Sequence, residues 1–286
     1  MKIAFLGPEG SYSHLAGQAF LKEEAPKGER KINDWDECVP FRNFVDVFSA
    51  VANGRVDSAV VPISNSLQGG VLQNLDLLQS HEDLYAVKEL VIRIDHRLAY
   101  KAGTKLSDIG RVYSHRQALD QCLGFLTKNL PFASLRETES TAFGLSRAME
   151  DPSGKSVAIV GAHTENLRGG FVMSEESISD EKNNYTHFLL IKKGKDVLPN
   201  DSARIFFSTV CPHKPGSLLQ LLQIISKYSV NMTKIESRPV KNRVGEYRFF
   251  IEAECNIGDN CVQDMLQAIR ENTLECKLLG AYNAQI

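Results

Sequence analysis

Thr186 stands at the head of an apolar run, Phe188-Leu189-Leu190-Ile191, directly after the polar turn Asn183-Asn184-Tyr185. A hydroxyl held there can stabilise, or give a proton to, an oxygen that leaves a substrate as hydroxide. Taken alone, the same threonine is what β-propensity places in a strand. Three other clusters offer neutral donors and acceptors. In Gly7-Pro8-Glu9-Gly10-Ser11-Tyr12-Ser13, backbone amides and the hydroxyls of Ser11 and Ser13 can cradle a carboxylate at the positive end of the following helix. A plain turn with Ser13 as helix cap explains the same residues. In Pro62-Ile63-Ser64-Asn65-Ser66, Asn65 and Ser66 either hold a carboxylate or hydroxyl, or simply start a helix. Ser114-His115-Arg116-Gln117 opens another helix with Ser114 as its cap, and Gln121 lies where a buried amide needs a polar partner. His115 titrates near neutrality, but no acidic neighbour orients it, so it reads as a surface or capping residue.

Other chemistries are excluded by what is missing. There is no Gly-x-Ser-x-Gly or His-Glu-x-x-His, and the first cluster is neither a dinucleotide fingerprint nor a P-loop. A net charge of −2 with scattered Lys and Arg gives no field for nucleic acid. The six cysteines form no Cys-x-x-Cys, and Cys211-Pro212-His213 lacks a second pair to complete a zinc site. They read as free thiols in a reducing cytoplasm, with no metal. The apolar run before Gly7-Pro8 is too short for a signal-peptide core or a membrane span.

Strands alternating with helices must position these residues. A strand at 3–6, a helix bearing Leu15, Ala16, Ala19 and Phe20, and a helix bearing Phe44, Val47, Phe48 and Val51 come first. A strand at 59–61 and a helix bearing Val71, Leu72, Leu75 and Leu78 follow. This order predicts a mostly parallel sheet covered on both faces. A β-rich stretch, 85–100, leads to a second set: strand 111–113, helix 115–128, strand 132–136, helix 140–150 and strand 157–160. Two lobes result, approximately 1–95 plus 170–192, and 96–169, with a cleft between them. A Lys/Gly/Pro/Asp-rich hinge at 192–201 ends this region. Beyond it, strand 203–210, helix 216–228, strands 231–238 and 245–254, helix 259–272 and strand 275–282 give the ferredoxin-like βαββαβ pattern.

The clusters above, with Glu139-Ser140-Thr141, Thr186-His187-Phe188 and Glu236-Ser237-Arg238-Pro239, occur in an order that resembles prephenate dehydratase with a C-terminal ACT regulatory domain. The resemblance covers 1–192 for the catalytic part and 203–286 for the ACT part. It implies an α/β, two-lobed, periplasmic-binding-protein-like catalytic domain followed by the ACT domain. It implies a cofactor-free lyase that converts prephenate to phenylpyruvate with loss of water and carbon dioxide. Thr186 matches the family's catalytic threonine, and Asn65, Ser66, Ser114 and Gln121 match polar residues of its cleft. Gly216, Ser217 and Leu218, with Glu236, Ser237 and Arg238, match its phenylalanine feedback site, usually at a dimer interface. The resemblance therefore implies phenylalanine as effector and a homodimer or homotetramer joined through ACT domains, with no membrane or nucleic-acid partner. No room precedes residue 1 for a chorismate mutase domain, so the expected form is monofunctional. Arogenate dehydratase is the alternative within the class, and a catalytically weakened metabolite sensor the alternative outside it. Three residues depart from the family pattern: Ser64 stands where the family has Glu, Arg116 where it has Pro, and His187 where it has Arg. The sensor reading rests on Ser64 and His187.

Overall fold

In the computed structural model, which describes residues 1–24, 37–164, 167–199, 201–241 and 243–285, the first apolar runs become strands of one sheet. β1 (Lys2–Leu6) pairs in parallel with β2 (Glu37–Phe41) and β3 (Ser58–Asn65). Period-2 alternation gives the sheet two apolar faces. Ile3, Phe5 and Val60 pack against α1 (Tyr12–Glu24). Ala4, Ala59 and Val61 pack against α2 (Phe44–Ala52) and α3 (Leu72–Ser80). A short strand, β4 (Gly69–Gly70), turns back on the end of β3 before α3 begins. The turn at Asn65-Ser66 therefore leads into a hairpin, not directly into a helix.

β5 (Leu84–Arg93) ends this first pass, and β6 (His96–Lys101) enters a second sheet with β7 (Arg111–Ser114), β8 (Ser134–Glu137), β9 (Ser156–Gly161) and β10 (Phe171–Met173). Its order is β10-β6-β9-β7-β8. The predicted helix 115–128 is two, α4 (Arg116–Asp120) and α5 (Leu123–Asn129), broken at Gln121-Cys122. α6 (Thr141–Met149) follows Ser140, whose hydroxyl accepts the Phe143 N–H as an N-cap. The chain returns to the first sheet only at β11 (Tyr185–Lys193), antiparallel between β3 and β5. Two expectations change. The first sheet is mixed rather than mostly parallel, and 171–173 belongs to the second sheet rather than to the first lobe.

The C-terminal strands follow the predicted order closely. β12 (Arg204–Val210), α7 (Ser217–Lys227), β13 (Asn231–Pro239), β14 (Tyr247–Glu254), α8 (Asn260–Asn272) and β15 (Glu275–Tyr282) form an antiparallel sheet of order β13-β14-β12-β15. Ile205, Phe207 and Ile251 pack among residues of α7 and α8. The other face is covered by the first lobe: Phe206, Phe250, Leu279 and Tyr282 share a core with Leu75 and Leu78 of α3. β15 also lies beside β5, pairing at Gly280 and Ala86, so the two sheets run together. A Cβ on Gly280 would press on the Ala86 carbonyl and sit 2.6 Å from its Cβ. Only glycine permits that approach.

Polar contacts fix the same junction. Lys277 Nζ donates to the carbonyls of Leu78, Gln79 and His81 at 3.2, 2.9 and 2.6 Å, satisfying the carbonyls that a helix end leaves over. Arg238 of β13 grips Asp76 of α3 through both Nε and Nη2.

Candidate active site

Asn65 ends β3 opposite Thr186, the second residue of β11. Its Oδ1 accepts the backbone N–H groups of Leu67 (3.0 Å) and Gln68 (3.2 Å), which turns the chain toward β4. A backbone N–H can only donate, so this end of the amide is the oxygen. Nδ2 therefore faces the other way, where it donates to Thr186 Oγ1 (2.9 Å), Asn184 Oδ1 (2.7 Å) and the Tyr185 carbonyl (3.2 Å). Thr186 is 9 % exposed. Its oxygen accepts from Asn65, and among the described residues no acceptor holds its proton. The hydroxyl is thus presented as a donor.

The second sheet meets this pair from the other side. Asn184 Nδ2 donates to Gln121 Oε1 at 3.3 Å, and His96 Nε2 lies 2.9 Å from the same oxygen. Gln117 Nε2 donates to Gln68 Oε1 at 2.9 Å, and His163 Nε2 is 3.0 Å from the Gly10 carbonyl. Tyr12 donates to the Asp95 carbonyl (2.7 Å) and accepts the Asp95 N–H (2.9 Å). Burial holds the Tyr12 phenol well above its ordinary pKa, so it stays protonated. These contacts bring the two lobes together around Thr186.

The predicted site residues divide into two groups. Thr186, Asn65 and Gln121 belong to one hydrogen-bonded chain, and Ser66 braces it. The Ser66 hydroxyl donates to the Asn183 carbonyl (3.1 Å) and accepts the Tyr185 N–H (2.9 Å). Ser114 stands apart: it is buried, and its hydroxyl donates to the Ile159 carbonyl at 2.9 Å, tying β7 to β9. It does not cap α4. His115 does, through Nδ1 accepting the Gln117 N–H at 3.3 Å. At α1 the cap is Ser11, whose Oγ accepts the His14 N–H at 3.2 Å, while Ser13 lies inside the helix. Asn184, His96, Tyr12 and His163 escaped the sequence reading. Asn184 and Tyr12 were legible only as members of polar clusters, and the two histidines only as isolated ring residues.

His187 points to the opposite face of β11. Its Nδ1 is 2.6 Å from Glu89 Oε1, and Arg204 Nη1 is 2.8 Å from Glu89 Oε2. Glu89 is 1 % exposed. Arg204 also reaches Glu252, which accepts from Tyr282 at 2.7 Å. The carboxylate beside His187 is therefore the protein's own, at the junction with the C-terminal unit. Ser64 is the cross-strand partner of His187, so two of the departures from the family pattern face each other. Side chains opposite one another across a strand pair are in contact range. The Glu and Arg that the resemblance implies at 64 and 187 would face each other in the same way.

The predicted effector residues do not meet within one chain. Gly216, with φ of +84°, precedes α7. Ser217 and Leu218 line a pocket of about 460 Å³ with His213, Tyr247 and Phe249. The Ser217 hydroxyl is buried with no partner among the described residues. Glu236, Ser237 and Arg238 are elsewhere, on β13, where Arg238 is committed to Asp76.

Among the described residues, no group of three or more His, Cys, Asp or Glu is placed to hold a metal ion. The six cysteines are free. No described helix is long and apolar enough to cross a membrane.

A sequence model described as prephenate dehydratase matches residues 3–196. The chain belongs to the prephenate dehydratase family. It is 34 % identical to a bifunctional chorismate mutase/prephenate dehydratase of Aquifex aeolicus, over 99 % of this chain and 73 % of that protein. It is 32 % identical to the bifunctional enzyme of Escherichia coli K12, over 99 % of this chain and 71 % of that one. The crystal structure of prephenate dehydratase from Arthrobacter aurescens, in complex with L-Phe, superposes with a TM-score of 0.82 at 28 % identity, covering 99 % of this chain and 90 % of that one.

Proposed function

We propose that this protein converts prephenate to phenylpyruvate, with Thr186 helping the ring hydroxyl to leave. The observation that carries this reading is the Asn65–Thr186 hydrogen bond at 2.9 Å. By occupying a lone pair of Thr186, Asn65 leaves the hydroxyl proton to point at a substrate oxygen. That bond strengthens as negative charge builds on the departing oxygen, so it favours the transition state over the bound substrate. As hydroxide leaves, the ring carboxylate departs as carbon dioxide and its electron pair completes the aromatic ring. The side chains hydrogen-bonded to Thr186 and linked to it, Asn65, Asn184 and Gln121, are neutral amides. They can hold carboxylates without opposing decarboxylation.

The two lobes are read as a periplasmic-binding-protein-like catalytic domain, residues 1–192, and residues 203–286 as an ACT domain. The Arthrobacter relative binds L-Phe, and the pocket beside Gly216 and Leu218 is where phenylalanine would bind here. Glu236, Ser237 and Arg238 would complete such a site across a homodimer or homotetramer, in a cytoplasmic enzyme. Arogenate is the alternative substrate. The sensor reading loses its support, because His187 of β11 and its cross-strand partner Ser64 of β3 lie on the face of the sheet away from Thr186.

The test is to incubate the purified protein with prephenate or arogenate and follow the absorbance of phenylpyruvate or the appearance of phenylalanine. Phenylpyruvate formed from prephenate supports the assignment. Turnover of arogenate alone moves it to the alternative, and turnover of neither overturns it.

A further inference from the structure

We propose that His96 is a positioning residue, which locks the Gln121 amide so that its NH2 group serves as a donor for a substrate carboxylate. Hydrogen-bond polarity fixes each group in turn along one connected series of side chains. The backbone N–H groups of Leu67 and Gln68 fix Asn65 with Oδ1 toward them and Nδ2 toward Asn184. The Asn184 atom that receives Nδ2 must be Oδ1, so its NH2 faces Gln121. The Gln121 atom that receives that NH2 must in turn be Oε1. The nitrogen of His96 at 2.9 Å from Oε1 must therefore carry a proton. Every amide orientation and the histidine tautomer follow from two groups that can only donate.

Two atoms are left over. Among the described residues, Gln121 Nε2 and His96 Nδ1 are buried without a hydrogen-bond partner. An unpaired buried donor is costly, so a stable protein keeps one only where something else meets it. Gln121 Nε2 is three hydrogen bonds from Thr186, on the second-lobe side of the cleft. A carboxylate of the substrate proposed above would supply the acceptor that this donor lacks. Asn184 alone would hold Gln121 by a bond of 3.3 Å. His96, 4 % exposed and pinned at its backbone by Ser179 Oγ and Ile178 N, supplies the second, shorter hold that prevents the amide from turning over.

The substrate half of this inference rests on the proposed function; the tautomer half does not. NMR of the full-length protein with 15N-labelled histidine, assigned with His96→Gln, should show His96 protonated at Nε2 and bare at Nδ1. Kinetically, His96→Leu should raise KM for prephenate about tenfold, the ~1.4 kcal/mol of one positioned hydrogen bond. The turnover number should change little, since a carboxylate held alike in ground and transition states affects KM. His96→Gln places an N–H near the Nε2 position and should recover most of the loss, which a merely space-filling role would not require. A proton on Nδ1, an unchanged KM in folded His96→Leu, or a His96→Gln no better than His96→Leu would each overturn the proposal. A wild-type protein that shows the Nε2–H tautomer but makes no phenylpyruvate counts against prephenate, not against His96 as the lock on Gln121. The tautomer measurement stands even if His96→Leu fails to fold.

Discussion

Thr186→Val removes one hydroxyl and keeps the β-branched shape, so its consequences can be worked through from the hydrogen bonds. Asn65 Nδ2 would lose Thr186 Oγ1 but keep Asn184 Oδ1 at 2.7 Å and the Tyr185 carbonyl at 3.2 Å. No buried donor is orphaned, and the stability cost is that of one ordinary hydrogen bond, about 1 kcal/mol. For a chain of this size that lowers Tm by roughly 2–4 °C. The effect on catalysis is much larger. Removing one positioned donor from a developing oxyanion costs about 10²–10³ in turnover, or about 2.7–4 kcal/mol. KM should stay near the wild-type value, because the bond is strongest only as charge develops. Thr186→Ser keeps the donor and should retain part of the activity. The assay pairs phenylpyruvate formation with a thermal melt of the same preparation. A Thr186→Val protein that melts within a few degrees of wild type and turns over at nearly the wild-type rate would refute the role given to this hydroxyl.

Three further outcomes test the architecture. Ser64→Glu should destabilise wild type more than it destabilises a His187→Arg background, by about 0.5–1 kcal/mol in a denaturant-melt cycle. Purely additive effects would mean that the two positions do not interact. Gly280→Ala should cost about 1–3 kcal/mol by forcing β15 from β5, read as a lower Tm; an unchanged melt would show that the junction tolerates a methyl group. Burial lowers the pKa of His96, partly opposed by Gln121 and Asp95 and reinforced by His163, with the protonated Tyr12 ring alongside. The unfolded chain then takes up this proton first, so the stability is present above pH about 6.5 and is lost as pH falls toward the lower folded value. His14 and His81 are shifted in the same direction. The measurement is therefore the difference between wild type and His96→Gln in Tm against pH, with the flatter acid limb expected in the variant. Parallel limbs would remove His96 from the acid response.

Much of the secondary structure was legible in the sequence, because periodicity is a local property. The alternation of 3.6-residue and 2-residue apolar patterns placed β15 at 275–282 and α8 within a residue of its observed ends. Thr186, Asn65 and Gln121 were legible too, as polar residues next to apolar strands and through the order of the motifs. Pairing was not legible, since which strand lies beside which depends on contacts far apart in the chain. Nothing local distinguishes a parallel β11 from the antiparallel one that brings Thr186 to Asn65, 121 residues away. Nothing local reveals that α3 shares one core with strands of the C-terminal sheet, or that Gly280 lets β15 approach β5. Helix caps were misassigned for a related reason. Ser11 and Ser13 have the same chemistry, and only the point at which α1 begins decides which hydroxyl meets a free amide. Alternation along β11 puts His187 on the face opposite Thr186, but its partner Glu89 lies 98 residues earlier. The sequence by itself determined which groups can donate, accept or carry charge. The tertiary structure decided which of them meet, because a hydrogen bond acts over about 3 Å while the chain that joins its partners can be of any length.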